Sequence, residues 1–81
     1  MMQGEPTLTI RELQILAVVA QGDSAKEVGQ KFGIAYRTVE CHLDTMRLKL
    51  RARNRAHMVA IAIELGLLSK SQFLAQPRLA A

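Results

Sequence analysis

The 81-residue chain contains one cysteine, Cys41, and no apolar run of 18 residues. A single cysteine permits no disulfide within the chain and no cysteine metal cluster, which is typical of a protein in a reducing compartment. The lack of a long apolar run excludes a membrane-spanning helix, and the start of the chain, MMQGEPT, has neither the charged nor the apolar part of a signal peptide. We therefore expect a cytoplasmic protein.

Signs of catalysis are also missing. The sequence contains no glycine-rich phosphate loop, no Ser, His and Asp at neighbouring positions that indicate a catalytic triad, and no cluster of metal ligands. His42 is a lone histidine on a predicted helix, and such a histidine usually packs or forms hydrogen bonds. The chain is long enough for one small domain with a modest core and leaves no room for a sensory domain. The sequence predicts a protein that is not an enzyme and that needs no cofactor, metal or small-molecule ligand.

Positive charge is concentrated in one part of the chain. Residues 36–57 hold six of the eleven basic residues and two of the seven acidic ones, so they carry the whole formal net charge of +4. Such a local excess favours a polyanionic partner, most often nucleic acid. A solvated basic surface is the alternative interpretation, above all for the run Arg51, Arg53 and Arg55.

The same region contains an amphipathic helix, predicted over residues 35–50. Its apolar side chains recur at spacings of four, three and four, which places them on one stripe of a helix: Val39, Leu43, Met46 and Leu50. Arg37, Cys41, Asp44 and Leu48 lie opposite that stripe. The pattern indicates a helix that is anchored on one side and presented outward on the other.

Capping patterns predict three further helices. Thr9 with Glu12, and Ser24 with Glu27, have the spacing of capping boxes, and Asn54 is a good N-cap. The corresponding helices are expected at residues 10–21, 25–32 and 55–65. Gly33 is expected in a left-handed turn between the second and third helices. A short helix, a tight turn and an amphipathic helix are the plan of a helix-turn-helix.

Six motifs follow one another in the order LTIRE (8–12), GDSAKEVGQKFGIA (22–35), TVECH (38–42), KL (49–50), NRA (54–56) and GLL (66–68). Together they resemble the C-terminal DNA-binding domain of the LuxR/FixJ class of bacterial transcription regulators. Region 4 of sigma factors has a similar start, but the position of His42 and the segment from KL to NRA fit the LuxR/FixJ class better. The resemblance implies an all-α, four-helix LuxR-type helix-turn-helix domain over residues 8–68, between a flexible lead-in (1–7) and a tail (69–81).

The resemblance also implies that the third helix enters the major groove of duplex DNA. Thr38, Lys49 and the region of Lys26 would meet phosphates, and the base edges would lie nearest Glu40, Cys41 and Asp44. The implied DNA-binding residues are Lys26, Tyr36, Arg37, Thr38, Glu40, Cys41, Asp44, Thr45 and Lys49.

The side chains at these positions suggest particular contacts. Glu40 or Asp44 can accept a hydrogen bond from cytosine N4, Arg37 can donate to guanine or to a phosphate, and Cys41 can touch a thymine methyl group. A spacing of three also favours an ion pair between Asp44 and Arg47.

Two departures from the family's pattern weaken the expected binding of phosphates. Ala35 stands where the family usually has a serine before the recognition helix, and alanine cannot cap. Ala25 stands where the family usually has an asparagine.

The last helix is apolar on nearly all sides. One stripe comprises Val59, Ala62, Ile63 and Gly66, and a second comprises Met58, Ile61 and Leu65. A small core cannot readily cover both stripes, so either the tail folds back with Leu67, Leu68, Phe73 and Leu74, or a second copy covers the exposed one. We predict dimerisation through Met58, Ile61 and Leu65.

Two functions fit these observations. The first is a standalone, nucleoid-associated transcription regulator that binds duplex DNA as a homodimer. The alternative is an interaction protein that pairs with a full-length LuxR-type regulator and inhibits it.

Overall fold

A computed structural model describes residues 8–68 as four α-helices. They are α1 (Ile10–Ala20), α2 (Ala25–Phe32), α3 (Tyr36–Lys49) and α4 (Arg55–Glu64), and residues 8–68 contain no strand. The prediction of an all-α, four-helix domain is confirmed, and each helix ends within one residue of its predicted bounds. The lead-in and the tail, including Phe73 and Leu74, lie outside the described residues.

Local hydrogen bonds explain where three of the helices begin. The Thr9 hydroxyl accepts from the Glu12 amide at 3.0 Å while a Glu12 carboxylate oxygen accepts from the Thr9 amide at 2.8 Å, and Ser24 and Glu27 repeat this capping box. The Asn54 side chain accepts from the His57 amide at 2.9 Å. Within residues 8–68, α3 alone starts without a side-chain cap, because Ala35 occupies the N-cap position.

Restoring this cap should stabilise the fold. Ala35 has the extended backbone of an N-cap residue (φ −67°, ψ 147°) and is exposed, so a serine fits there and its hydroxyl can accept from the first turn of α3. We expect Ala35→Ser to raise the free energy of unfolding by about 1 kcal/mol, measured by urea denaturation. Ala35→Val, which offers no oxygen, is the control. Equal effects of the two changes would contradict the capping explanation.

All four helices contribute to one hydrophobic core. α3 contacts each of the other three helices, and its buried stripe lies in the shared core. Leu8, Ala52 and Leu68 contribute to the core from outside the helices. The largest fully buried side chains are Ile15, Leu16, Val28, Val39, Met46 and Met58.

The turn between α2 and α3 is tight. Gly33 has the predicted left-handed conformation (φ 68°), and the Ile34 amide donates to the Gly29 carbonyl at 2.9 Å. The backbone then passes so close to α2 that a Cβ on Gly29 would lie 2.6 Å from the Ile34 oxygen. This close approach determines how α3 is set against α2.

Candidate nucleic-acid interface

The third helix is buried on one side and open on the other. Val39, Leu43 and Met46 are buried, as the apolar stripe predicts, and Leu50 continues the stripe just beyond the helix. On the opposite side Arg37, Cys41 and Asp44 are exposed, and 67% of the surface of Leu48 is accessible. The helix therefore presents a continuous outward face on a rigidly packed base.

All nine implied DNA-binding residues are exposed at the surface. One of them, Lys26, is exposed on α2, the helix that the tight turn joins to α3. The other eight lie exposed on α3: Tyr36, Arg37, Thr38, Glu40, Cys41, Asp44, Thr45 and Lys49.

The two carboxylates on this helix are not neutralised by ion pairs. Within residues 8–68, Asp44 and Arg47 do not form the pair that their spacing permits, because the Arg47 guanidinium donates instead to the Ala52 carbonyl at 3.3 Å. Glu40 forms no ion pair with any described residue either. Together with Arg47 and Arg55, the two carboxylates line a shallow cavity between α3 and α4. Glu40 and Asp44 therefore place two formal negative charges on a surface that also carries Arg37.

Lys49 has a structural partner that the sequence did not reveal. Its ammonium donates to a carboxylate oxygen of Glu12, in the first turn of α1, at 2.9 Å. The Glu12 side chain is almost completely buried, whereas 34% of the Lys49 side chain is accessible. The pair ties the end of α3 to the start of α1, so this ammonium is already engaged within the fold.

A second ion pair also escaped prediction. The Lys31 ammonium lies 2.7 Å from a carboxylate oxygen of Asp23, the residue before the N-cap of α2. Asp23 is buried at the junction of α1 and α2. The pair stabilises the short helix on which α3 rests.

The environment of Glu12 predicts a pH dependence of stability. Burial opposes its ionisation, but hydrogen bonds from Lys49 and Thr9 together with the Lys49 charge outweigh burial and lower the pKa of Glu12 below its ordinary range. A carboxyl group whose pKa is lower in the folded than in the unfolded state stabilises the fold above the unfolded pKa, about 4.3 for glutamate. That contribution is lost as the pH falls through the lower pKa of the folded state.

We therefore expect Glu12→Gln to lower the free energy of unfolding by about 1–2 kcal/mol at pH 7, less than for a fully buried pair because Lys49 is partly exposed. The difference from the parent should shrink below pH 4, as measured by urea denaturation across pH. Glu64→Gln is the matched control, since Glu64 is exposed and forms no ion pair within residues 8–68. A deficit of Glu12→Gln that stays constant down to pH 2.5 would contradict the assignment.

The last helix presents less apolar surface than predicted. Met58 is 1% exposed and packs in the core, so its placement on an exposed stripe is corrected: the side of α4 that bears Met58, Val59 and Ala62 faces the other helices. Ile61 is half-buried and Leu65 is 44% exposed. Only these two members of the predicted dimerisation stripe retain accessible surface.

Other kinds of site have little support in the described part of the chain. No three histidine, cysteine, aspartate or glutamate side chains of residues 8–68 come together in a way that could hold a metal ion. None of the helices in this range is both long enough and apolar enough to cross a bilayer.

The sequence was compared with protein-family models and with known proteins. A family model described as bacterial regulatory proteins, luxR family, matches residues 6–62. The transcriptional activator protein BjaR1 of Bradyrhizobium diazoefficiens is 48% identical over 56 residues, which cover 69% of this chain and 23% of the relative. The transcriptional activator protein SolR of Ralstonia nicotianae is 38% identical over 66 residues, or 82% of this chain and 28% of the relative.

A third relative, the quorum sensing-dependent transcriptional regulator RpaR of Rhodopseudomonas palustris, is 46% identical over 61 residues, which cover 75% of this chain and 25% of the relative. The chain thus spans about a quarter of the length of these relatives. The family match covers α1 to α3 and most of α4, including the whole helix-turn-helix and the exposed face of α3. This chain therefore belongs to the luxR family of bacterial regulatory proteins, whose helix-turn-helix domains bind DNA in the regulation of transcription.

Proposed function

We propose that this domain recognises a specific duplex sequence as a dimer, with the outward face of α3 in the major groove. The observation that carries the proposal is the arrangement of α3, which has a fully packed apolar stripe behind a continuous, exposed polar face. A helix held in this way can enter a groove about 12 Å wide without rearrangement of the core.

Different residues of this face perform different tasks in the proposal. Thr38 and Lys26 contact phosphates and set the register, and Glu40, Cys41 and Asp44 lie nearest the base edges, where contacts carry sequence information. Tyr36, Arg37 and Thr45 border this set. Lys49 is left out, since its ammonium is engaged by Glu12.

The proposed dimer uses what remains exposed on α4. Ile61 and Leu65 form a small apolar patch that a second copy can cover by two-fold symmetry. Symmetric pairing of two recognition helices calls for an inverted repeat whose half-sites lie on one side of the duplex.

A second candidate function is favoured by the negative charges on the outward face of α3. Glu40 and Asp44 lack cationic partners within residues 8–68 and repel phosphates, which suits a chain with weakened DNA binding that pairs through α4 with a full-length LuxR-type regulator.

Selection of bound sequences from random duplexes by the 81-residue chain separates the two functions. The first proposal expects an enriched inverted repeat and a steep fall of affinity with salt. If no sequence is enriched, the first proposal fails and pairing with a full-length LuxR-type regulator is favoured. Sedimentation of the chain with and without the enriched duplex measures the dimer, and Leu65→Asp should abolish it.

A further inference from the structure

The residues placed at the DNA surface by the proposed function carry little net charge. Arg37 and Lys26 are offset by Glu40 and Asp44, and the Lys49 ammonium is paired with Glu12. Attraction to the phosphate backbone is what supplies most of the sequence-independent affinity of DNA-binding proteins. That attraction must come from charge located elsewhere on the chain.

The turn between α3 and α4 holds such charge. Arg51 and Arg53 are exposed, and neither forms an ion pair with any residue in the range 8–68. Arg55 follows at the start of α4, although it shares a cavity with the carboxylates of Glu40 and Asp44. Arg51 and Arg53 therefore present two uncompensated positive charges at one end of the recognition helix.

The backbone of this turn is held in place. The Ala52 amide donates to the Arg47 carbonyl at 2.9 Å, and the Ala52 carbonyl accepts from the Arg47 guanidinium. The Arg53 amide donates to Nδ1 of His57 at 3.0 Å. Ala52 is buried and its two neighbours, Arg51 and Arg53, are exposed, so the turn is anchored and loses little backbone entropy when it meets a partner.

The position of the turn matches the edge of a groove. α3 ends at Lys49, and Arg51 and Arg53 follow in the turn directly after its C-terminal end. The end of α3 at Lys49 is eight residues beyond Cys41, roughly 12 Å along the helix axis, and the turn continues from there. The major groove is only about 12 Å wide, so a side chain at that distance from the base contacts lies beside the phosphates.

From these observations we infer that the basic turn, Arg51 and Arg53, binds the phosphate backbone of the same duplex and supplies the main electrostatic attraction to DNA. The inference rests on the proposed DNA binding and adds a division of labour to it. The recognition helix discriminates between sequences with a nearly neutral surface, and the turn after it attracts duplex DNA of any sequence.

The test removes the two charges without disturbing the turn. Arg51 has a left-handed backbone (φ 55°), which asparagine adopts more readily than arginine, so the variant Arg51→Asn/Arg53→Gln should fold at least as well as the parent. Binding of the 81-residue chain to a 30-base-pair duplex of random sequence is measured against salt concentration. The salt slope should fall by about 1.8 and the affinity at 0.1 M salt by about 60-fold, as expected for two lost phosphate contacts.

Arg11→Glu is the control, since it lowers the net charge by the same two units on an exposed site of α1. An equal loss in the control, or an unchanged slope in the double variant, would overturn the inference. If the double variant loses binding to poly-L-glutamate but keeps its affinity for the duplex, the turn serves an acidic protein and the inference fails. If the parent chain itself shows no salt-dependent binding to DNA, the proposed function fails instead.

Discussion

Arg37→Glu should lower the affinity for duplex DNA by about 100-fold at 0.1 M salt, since it removes the contact to a phosphate or guanine that we propose for Arg37 and adds a repulsive carboxylate. Arg37 is exposed on the outward face of α3, opposite the buried stripe. Fluorescence anisotropy with a labelled duplex, recorded at several salt concentrations, measures the loss. The slope of affinity against salt should fall at the same time.

Loss of folding cannot explain this result. Arg37 is the second residue of α3, and a glutamate in the first turn of a helix is favoured by about 0.3–1 kcal/mol through the helix dipole. The thermal midpoint of the variant should therefore not fall below that of the parent. This combination of intact folding and lost affinity identifies an interface residue.

The matched control is Arg11→Glu. Arg11 is likewise exposed and the second residue of its helix, so the substitution has the same charge change in the same helical context. It removes a contact of Arg11 with the Phe32 ring, 5.1 Å from its centroid, which costs at most about 1 kcal/mol of stability. If both variants lose the same affinity, only net charge matters and α3 is not the interface.

Gly29→Val should lower the free energy of unfolding by about 3 kcal/mol, a large share of the total for so small a domain. A Cβ at this position would lie 2.6 Å from the Ile34 oxygen and 3.4 Å from the Tyr36 amide nitrogen. Both contacts are to the backbone of the turn, which cannot move aside without displacing α3. Urea denaturation measures the loss of stability, and DNA affinity should fall with it because the recognition helix shifts.

Gly66→Ala separates crowding from backbone strain. Gly66 has a left-handed backbone (φ 79°), but no atom of residues 8–68 lies within 4 Å of a Cβ built there. Alanine at this position should therefore cost only about 1–2 kcal/mol. A Gly29→Val variant no less stable than Gly66→Ala would show that the turn tolerates displacement.

Local chemistry explains why the helices were predictable. The capping partners Thr9 and Glu12 are three residues apart, and a residue that follows a helix end in the left-handed conformation is usually glycine, as at Gly33. The apolar stripe of α3 is narrow, so the helix can bury it in the core in only one orientation about its axis. These features depend on neighbours along the chain and can be read without the fold.

Features that depend on distant contacts were not predictable. Glu12 and Lys49 are 37 residues apart, and no pattern in the sequence pairs them. Met58 was placed on the wrong side of α4, because that helix is apolar on nearly all sides and its periodicity does not indicate which side meets α1 and α3. The contacts of individual residues with DNA stay predictions until a complex is measured.

The uncapped start of α3 affects how this surface moves. The amide of the third residue of α3, Thr38, has no side-chain acceptor, whereas the corresponding amides of Glu12, Glu27 and His57 each donate to a capping side chain. Val39, the next residue, is buried in the core. Local opening of this turn therefore costs little free energy and stops at Val39. In the proposed complex this end of the helix can thus adjust its backbone to a groove, and the Thr38 amide should exchange with solvent faster than the third amide of any other helix in residues 8–68.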